Sequence, residues 1–337
     1  MKAPTDWQTA RLHSSRNLSP TVREFILHPE APVQRWTPGS HIQVRLQQGD
    51  GVLERSYSLV GLPDDGQAQG GYRIAVKRAT TSRGGSHAMH ALQDGASLDI
   101  LPPANHFELS FAPPQHLLLA GGIGITPMLG MAQALAARGA DLRMAYAARS
   151  QAELVYADTL AEALGGRLQC LSSDQSQRLD LPALIAALHP QGQLLLCGPL
   201  SLLQAAQAVW ADAGRPPELL RFETFGAGAI QAQPFWVELP RHGLRLLVPA
   251  ERTLLQVLAD AGVETLSDCE RGECGLCTMT VLGVQGQIDH RDVFLSPAER
   301  AAGQRLCACV SRVCADAADG REAVLVLDSD FRPDPGE

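Results

Sequence analysis

The sequence predicts a multidomain chain: a small antiparallel β-barrel, then an α/β domain on a parallel sheet, then an α+β domain around a cysteine-rich loop. Three observations carry this. Short alternating strands occupy residues 1–112, strand–helix alternation occupies 113–228, and six of the eight cysteines crowd into 229–337. At roughly 100–200 residues per domain, 337 residues suit two or three domains.

In the first segment, "HIQVRLQ" sets Ile42, Val44 and Leu46 on one face and His41, Gln43, Arg45 and Gln47 on the other. That is the period of a half-buried strand. "TVREFILH", "RSYSLV", "GYRIAVKR" and "SLDIL" are further strands, separated by turn-rich pieces such as "LPDDGQAQGG". Several short strands with polar turns predict a barrel.

The second segment opens with "HLLLAGG", an apolar run ending in glycines. "TPMLGMAQALAARG" then predicts a helix with Thr126 as N-cap, Pro127 in the first turn and Gly139 at the stop. Met128, Ala132 and Leu135 share its apolar face. "DLRMAYAA" is the next strand, and "SQAELVYADTLAEALGG" carries a capping-box pattern at Ser150 and Glu153. "GQLLLCGP" and "LSLLQAAQAVWADAG" repeat the alternation, which implies a parallel sheet with helices on its faces.

"GAGAIQAQP", residues 226–234, is expected to be a linker. Beyond it, "FWVELPRHGLRLLVP" predicts a hairpin. "TLLQVLADAG" predicts a helix with Thr253 and Gln256 as its capping box. After the cysteine loop come strands at "CTMTVLGV", "RLCACVSR" and "AVLVLD", with the polar stretch "SPAERAAGQ" between the first two.

Composition excludes several classes. Hydrophobic residues at 45% and charged residues at 19% describe an ordinary globular chain. No apolar run approaches the roughly 18 residues a membrane span needs. "MKAPTDWQTARLHSSR" has no apolar secretory core, so a cytoplasmic location is expected. A net charge of −8 without any Lys/Arg-rich run argues against nucleic acid. In a reducing compartment, clustered cysteines read as a metal site rather than disulfides.

"CERGECGLC" has the spacing C-x4-C-x2-C at Cys269, Cys274 and Cys277, with a further cysteine about thirty residues later. Structural zinc sites usually use two C-x2-C or equivalent knuckles, and only one is present. The spacing is that of plant-type 2Fe-2S ferredoxins. Gly272 and Gly275 let the loop wrap closely. The fourth ligand is open between Cys307, separated from Cys277 by 29 intervening residues, and Cys309, separated by 31. On one strand these two would face the same side, roughly 7 Å apart.

A 2Fe-2S cluster accepts one electron, whereas a nicotinamide delivers two as hydride, so a flavin belongs between them. In "RSYS", Arg55 offers a cationic fork for a phosphate. Tyr57 can pack on a ring while Ser56 and Ser58 bond its edge. "SRGGS", residues 82–86, is a turn whose N–H groups suit a phosphate. "AGGIGITPM" follows a strand and opens a helix, the setting of a pyrophosphate site. Each motif alone also reads as plain strand, turn or strand–turn–helix.

Taken together in this order, "RSYS", "RGGS", "GGIGITPML", "CGP", "FETFGA", "SDCERGECGLC", "DHRD" and "CVSR" resemble the phthalate dioxygenase reductase and vanillate O-demethylase reductase family. The resemblance implies FMN, NADH and a 2Fe-2S cluster in a β-grasp ferredoxin domain. It places the flavin at Arg55, Ser56, Tyr57, Ser58, Ala75, Val76, Lys77, Arg83, Gly84, Gly85 and Ser86. NADH falls to Gly121, Gly122, Gly124, Thr126, Pro127, Cys197, Gly198 and Pro199, with Arg149 and Ser150 where the adenosine ribose is read and Phe225 against the flavin ring. The cysteine before "VSR" makes Cys309 the fourth ligand beside Cys269, Cys274 and Cys277. No acid–base catalytic side chain is implied, and Cys197 lines the nicotinamide pocket rather than acting as a nucleophile. The implied partner is a Rieske non-haem iron oxygenase, with the reductase itself a monomer. "VCADAADGREAVLVLD" is longer than the family's tail. Two rival readings are a self-contained flavin reductase of a small substrate and a redox-inactive four-cysteine zinc protein.

Overall fold

The computed structural model describes residues 6–48, 51–63, 70–80, 84–225, 232–250, 252–315 and 322–329. The chain divides into two compact units, Met1–Glu223 and Thr224–Glu337.

The first unit begins with a six-stranded antiparallel sheet. Its strands are β1 (Gln8–Asn17), β2 (Val22–Pro29), β3 (Ser40–Gln48), β4 (Gly51–Ser58), β5 (Tyr72–Lys77) and β6 (Ser97–Asn105), with α1 (Gly85–Ala91) between the last two. The order is β4-β3-β6-β1-β2-β5, and a bridge between Leu59 and Ile74 joins the two edges. That bridge closes the sheet at one point, as the expected barrel requires. Ile42, Val44 and Leu46 point inward and are buried, as their alternation predicts. β1 lies in "WQTARLHSSRN", which the sequence reading did not assign to a strand; its charged positions mask the period.

The same unit continues with β7 (His116–Gly121), α2 (Ile125–Ala137), β8 (Leu142–Ala148), α3 (Ala157–Leu164), β9 (Leu168–Ser172), α4 (Leu181–Ala186), β10 (Gln193–Gly198), α5 (Leu200–Asp212) and β11 (Leu220–Thr224). The sheet order is β11-β10-β7-β8-β9, and β7 pairs in parallel with both β8 and β10. β7 and β10 are buried along their whole lengths, which explains their unbroken apolar runs. Val22, Val60, Ala75 and Phe107 of the barrel share one core with α2 and the parallel sheet.

Two local expectations fail here. Thr126 is not the N-cap of α2: the helix starts at Ile125, and the Thr126 hydroxyl donates back to the Ile123 carbonyl at 3.0 Å. Gly139, at φ +66°, does end this helix. Ser150 and Glu153 form no capping box. Residues Gln151–Glu153 make a 3₁₀ turn without a side-chain cap, because the Glu153 carboxylate bonds Lys77 and Thr21 of the barrel instead.

The second unit holds β12 (Phe235–Leu239), β13 (Leu244–Val248), α6 (Leu254–Asp260), β14 (Thr278–Gln285), β15 (Gln287–Asp289), α7 (Pro297–Ala302), β16 (Arg305–Cys307), β17 (Arg312–Cys314) and β18 (Val324–Asp328). A mixed sheet runs β13-β12-β18-β14-β16, with a small β15-β17 ribbon beside it. The β12–β13 hairpin and the Thr253–Gln256 capping box form as expected. "SPAERAAGQ" contains α7, and its Ser296–Glu299 capping box was the overlooked signal. "RLCACVSR" is not one strand. β16 stops at Cys307, and Val310 and Ser311 N–H groups turn back onto the Cys307 carbonyl, so Cys307 and Cys309 are not alternate positions of a single strand face. The linker "GAGAIQAQP" falls largely outside the described residues, as does part of the tail around 316–321.

Candidate functional site

The barrel brings "RSYS" and the glycine loop together. Gly85 opens α1 directly against Arg55: a Cβ there would lie 2.6 Å from the Arg55 Nε. A side chain here would displace Arg55, so glycine lets it lie against this loop. Burial lowers the Arg55 pKa from its ordinary value, so the site gains when an anion joins it. Arg55 Nη1 donates to the Glu54 carbonyl at 2.8 Å, which orients the fork. Burial pushes the Tyr57 hydroxyl well up, keeping it a neutral donor. The Ala79 N–H donates to Ser86 Oγ at 3.2 Å, tying the loop to the end of β5. Gly84 stands at φ +91°, a conformation that glycine adopts without strain. Arg83 lies outside the described residues. Ala75 and Val76 are packed in the core, and the Lys77 ammonium pairs with Glu153.

One residue on this site escaped the sequence reading. Glu223 is fully buried at the end of β11 and accepts a hydrogen bond from the Ser58 hydroxyl at 3.2 Å. Its signal was a carboxylate inside "RFETF", a stretch that the sequence reading assigned to no strand. Phe225 follows it with 39% exposure.

The parallel sheet brings "GGIGITP" and "CGP" into one crevice. The chain runs outward from β7 to β8 and β9, then returns to the other side for β10 and β11. Ligands of open α/β sheets bind at such a switch point, outside the carboxyl ends of the strands. The two loops touch there. A Cβ on Gly124 would sit 2.1 Å from the Cys197 carbonyl oxygen, and one on Gly121 would sit 2.7 Å from Pro199 Cδ. Backbone thus meets backbone, leaving the loop N–H groups and the start of the 13-residue α2 for a pyrophosphate. Pro127 stands in the first turn of α2, where its missing N–H costs no intrahelical bond. Arg149 and Ser150 begin the loop after β8, on the opposite side of β7 from Cys197.

In the second unit the cysteine loop wraps on itself. The N–H groups of Arg271, Glu273 and Cys274 all point at Cys269 Sγ, each at 3.4 Å. Burial pushes this thiol up, while those donors favour its thiolate, the ligand form. Gly272 and Gly275 both have positive φ, and a Cβ on Gly275 would strike the Phe294 ring at 2.3 Å. Cys277 Sγ and Cys309 Sγ are 3.1 Å apart. Hydrogen bonds from Cys307 and Cys309 pull the Cys277 thiol down to about 3. Among the described residues, no three His, Cys, Asp or Glu side chains converge on a point that one metal ion would occupy. The C-x4-C-x2-C loop with a later thiolate supplies the donor set of a plant-type 2Fe-2S cluster.

Comparison with known proteins agrees with this layout. Residues 118–208 match the oxidoreductase NAD-binding domain family, and residues 238–314 match the 2Fe-2S iron-sulfur cluster binding domain family. The chain is 40% identical over 306 residues to the heme-dependent oxidative N-demethylase beta subunit of Ectopseudomonas mendocina, covering 90% of this chain and 95% of that one. It is 37% identical over 297 residues to the vanillate O-demethylase oxidoreductase of a Pseudomonas strain, covering 86% and 89%. The solved structure of phthalate dioxygenase reductase, described as a modular structure for electron transfer from pyridine nucleotides to [2Fe-2S], is 31% identical. It matches 96% of this chain and 98% of its own, with a TM-score of 0.76.

Proposed function

The chain belongs to the phthalate dioxygenase reductase-like family, and on that premise we propose how its residues serve a reductase subunit of a Rieske oxygenase system. The bound flavin supplies the two-electron to one-electron conversion, taking hydride from NADH and passing electrons singly to the 2Fe-2S cluster. The flavin is FMN, as the short glycine loop at Gly84–Ser86 supports. Arg55 neutralises its phosphate, and Gly85 keeps that approach open. Ser58, held by buried Glu223, presents its hydroxyl at a set angle on the flavin strand. Gly121, Gly122, Gly124 and Gly198 keep the nicotinamide crevice free of side chains. Cys269, Cys274, Cys277 and Cys309 hold the cluster. Cys307 and Cys309 both lie beside Cys277, and the cysteine directly before "VSR" makes Cys309 the proposed fourth ligand.

The observation that carries this reading is the cysteine loop, with three N–H groups on one sulfur, in the same chain as the nicotinamide crevice. The electron leaves to an oxygenase component of the Rieske non-haem iron class acting on an aromatic acid or a similar small molecule. The reductase works as a cytoplasmic monomer; no helix among the described residues is long and apolar enough to cross a membrane. The two relatives above serve different oxidations, so the oxygenase component, not the reductase, selects the substrate.

The test is an anaerobic absorption titration of the purified protein. NADH should bleach both the flavin and the 2Fe-2S bands, and added oxygenase should restore them. A colourless protein, or flavin bleaching without any cluster response, overturns the reading.

A further inference from the structure

The β8–α3 loop, residues 149–156, is fastened to the barrel more heavily than a connection needs. Leu154 and Val155 enter the core shared by barrel and parallel sheet. On either side of them stands a polar anchor. The Glu153 carboxylate accepts from Thr21 and Lys77, and from Ser19 at 3.3 Å, while its carbonyl accepts from the Tyr146 hydroxyl at 3.2 Å. The Tyr156 hydroxyl donates to Glu24 Oε2 at 2.7 Å, and Arg16 Nε meets the other Glu24 oxygen at 2.6 Å. Glu24 is 5% exposed. Tyr156 reaches it from φ +62°, a strained conformation for a bulky residue. Such strain persists only where surrounding contacts over-determine it, and it clusters at functional positions.

A packed apolar seam would stabilise the fold as well as buried ionic contacts do. What hydrogen-bonded anchors add is a single allowed register. The elements they join are telling. At its start the loop carries Arg149 and Ser150, at the adenosine side of the crevice. The anchors land on β2 and on Lys77, the last residue of flavin strand β5. Hydride transfer tolerates little error in distance: a displacement near 1 Å can cost about a hundredfold in rate.

We propose that Glu153 and Tyr156 are positioning residues for hydride delivery, locking the β8–α3 loop to barrel strands β2 and β5 so that bound NADH meets the flavin at one fixed distance. This rests on the reductase reading above, and neither residue touches the reacting atoms.

The test uses the full-length holoprotein with Tyr156→Phe, Glu153→Gln, Glu24→Gln and Glu24→Leu. Flavin reduction is followed by anaerobic stopped-flow over a range of NADH concentrations. Hydrogen–deuterium exchange is measured on the 150–156 segment. Tyr156→Phe should lower the limiting reduction rate at least tenfold, change the NADH dissociation constant much less, and speed exchange in the segment. Flavin and cluster content should be unchanged. Glu24→Gln keeps an acceptor oxygen for the tyrosine and should be milder than Glu24→Leu. Limiting rates within twofold of wild type, or unchanged exchange, overturn the proposal. If Tyr156→Phe loses its flavin, Glu153→Gln applies the same criteria from the other anchor. Loss of flavin from both means the residues act through folding alone, which also overturns it. If NADH fails to reduce the wild-type protein, the reductase reading falls instead, so the two failures are distinguishable.

Discussion

Replacing Gly124 by alanine tests the nicotinamide crevice most directly. An added Cβ would come within 2.1 Å of the Cys197 oxygen, 2.5 Å of its carbonyl carbon and 2.9 Å of the Gly198 nitrogen, whereas ordinary contacts begin at 3.4 Å. All three atoms are backbone, so no side chain can swing aside. The loop before α2 and the end of β10 must separate by more than an ångström, or the residue must strain. Overpacking of this kind costs about 1–3 kcal/mol, and a backbone-on-backbone clash belongs at the upper end. In a domain of this size, each kcal/mol moves the melting temperature by about 2–4 °C, so a fall of roughly 5–10 °C is expected. The same displacement opens the crevice, so flavin reduction by NADH should slow by about ten- to a hundredfold. Gly139→Ala is the control. It stands at φ +66° with nothing within 4 Å of its Cβ, so it should cost about 1–2 kcal/mol of strain and leave the reduction rate alone. Differential scanning calorimetry and stopped-flow reduction read both variants. A Gly124→Ala protein that melts and reacts like Gly139→Ala would show that the two loops do not meet in this way.

Three further outcomes follow from the geometry. Cys309→Ser should lose the cluster absorbance and its iron, whereas Cys307→Ser should keep both; the reverse pattern would transfer the fourth ligand to Cys307. On the proposed flavin site, Arg55→Ala would remove a charged phosphate contact worth about 1.5–3 kcal/mol, so flavin should bind about ten- to a hundredfold more weakly by fluorescence titration. For Glu153, burial opposes ionisation, but bonds from Lys77 and Thr21 outweigh it and hold the carboxyl below its ordinary 4.5. A depressed carboxylate stabilises the fold above its unfolded pKa and loses that contribution as pH falls through the lower, folded value. Melting temperature should therefore drop between about pH 5 and pH 3, and less steeply in Glu153→Gln; equal slopes would rule out this contribution.

Much of this protein was legible in its sequence because much of it is written in local patterns. Alternation buries Ile42, Val44 and Leu46, and unbroken apolar runs mark β7 and β10, since strand period and burial on both faces are properties of short segments. The cysteine spacing, the glycines of both phosphate loops and the capping box at Thr253 are likewise local. Other features depended on partners far away in the chain. Ser150 and Glu153 spell a capping box, yet Glu153 turns to Lys77, because an ammonium in a half-buried seam is a stronger partner than a backbone amide. Cys307 and Cys309 read as one strand until a turn at Cys307 separates them. Glu223 carried no local signal of its role, which comes from Ser58, 165 positions away in sequence. The amino-acid order by itself determined the succession of antiparallel, parallel and mixed-sheet folds, the cofactor classes and the cluster loop. Only the tertiary structure decided which carboxylates are buried, what they hold, and how the β8–α3 loop is fastened to the barrel, because such choices are made by groups that meet only when the chain closes on itself.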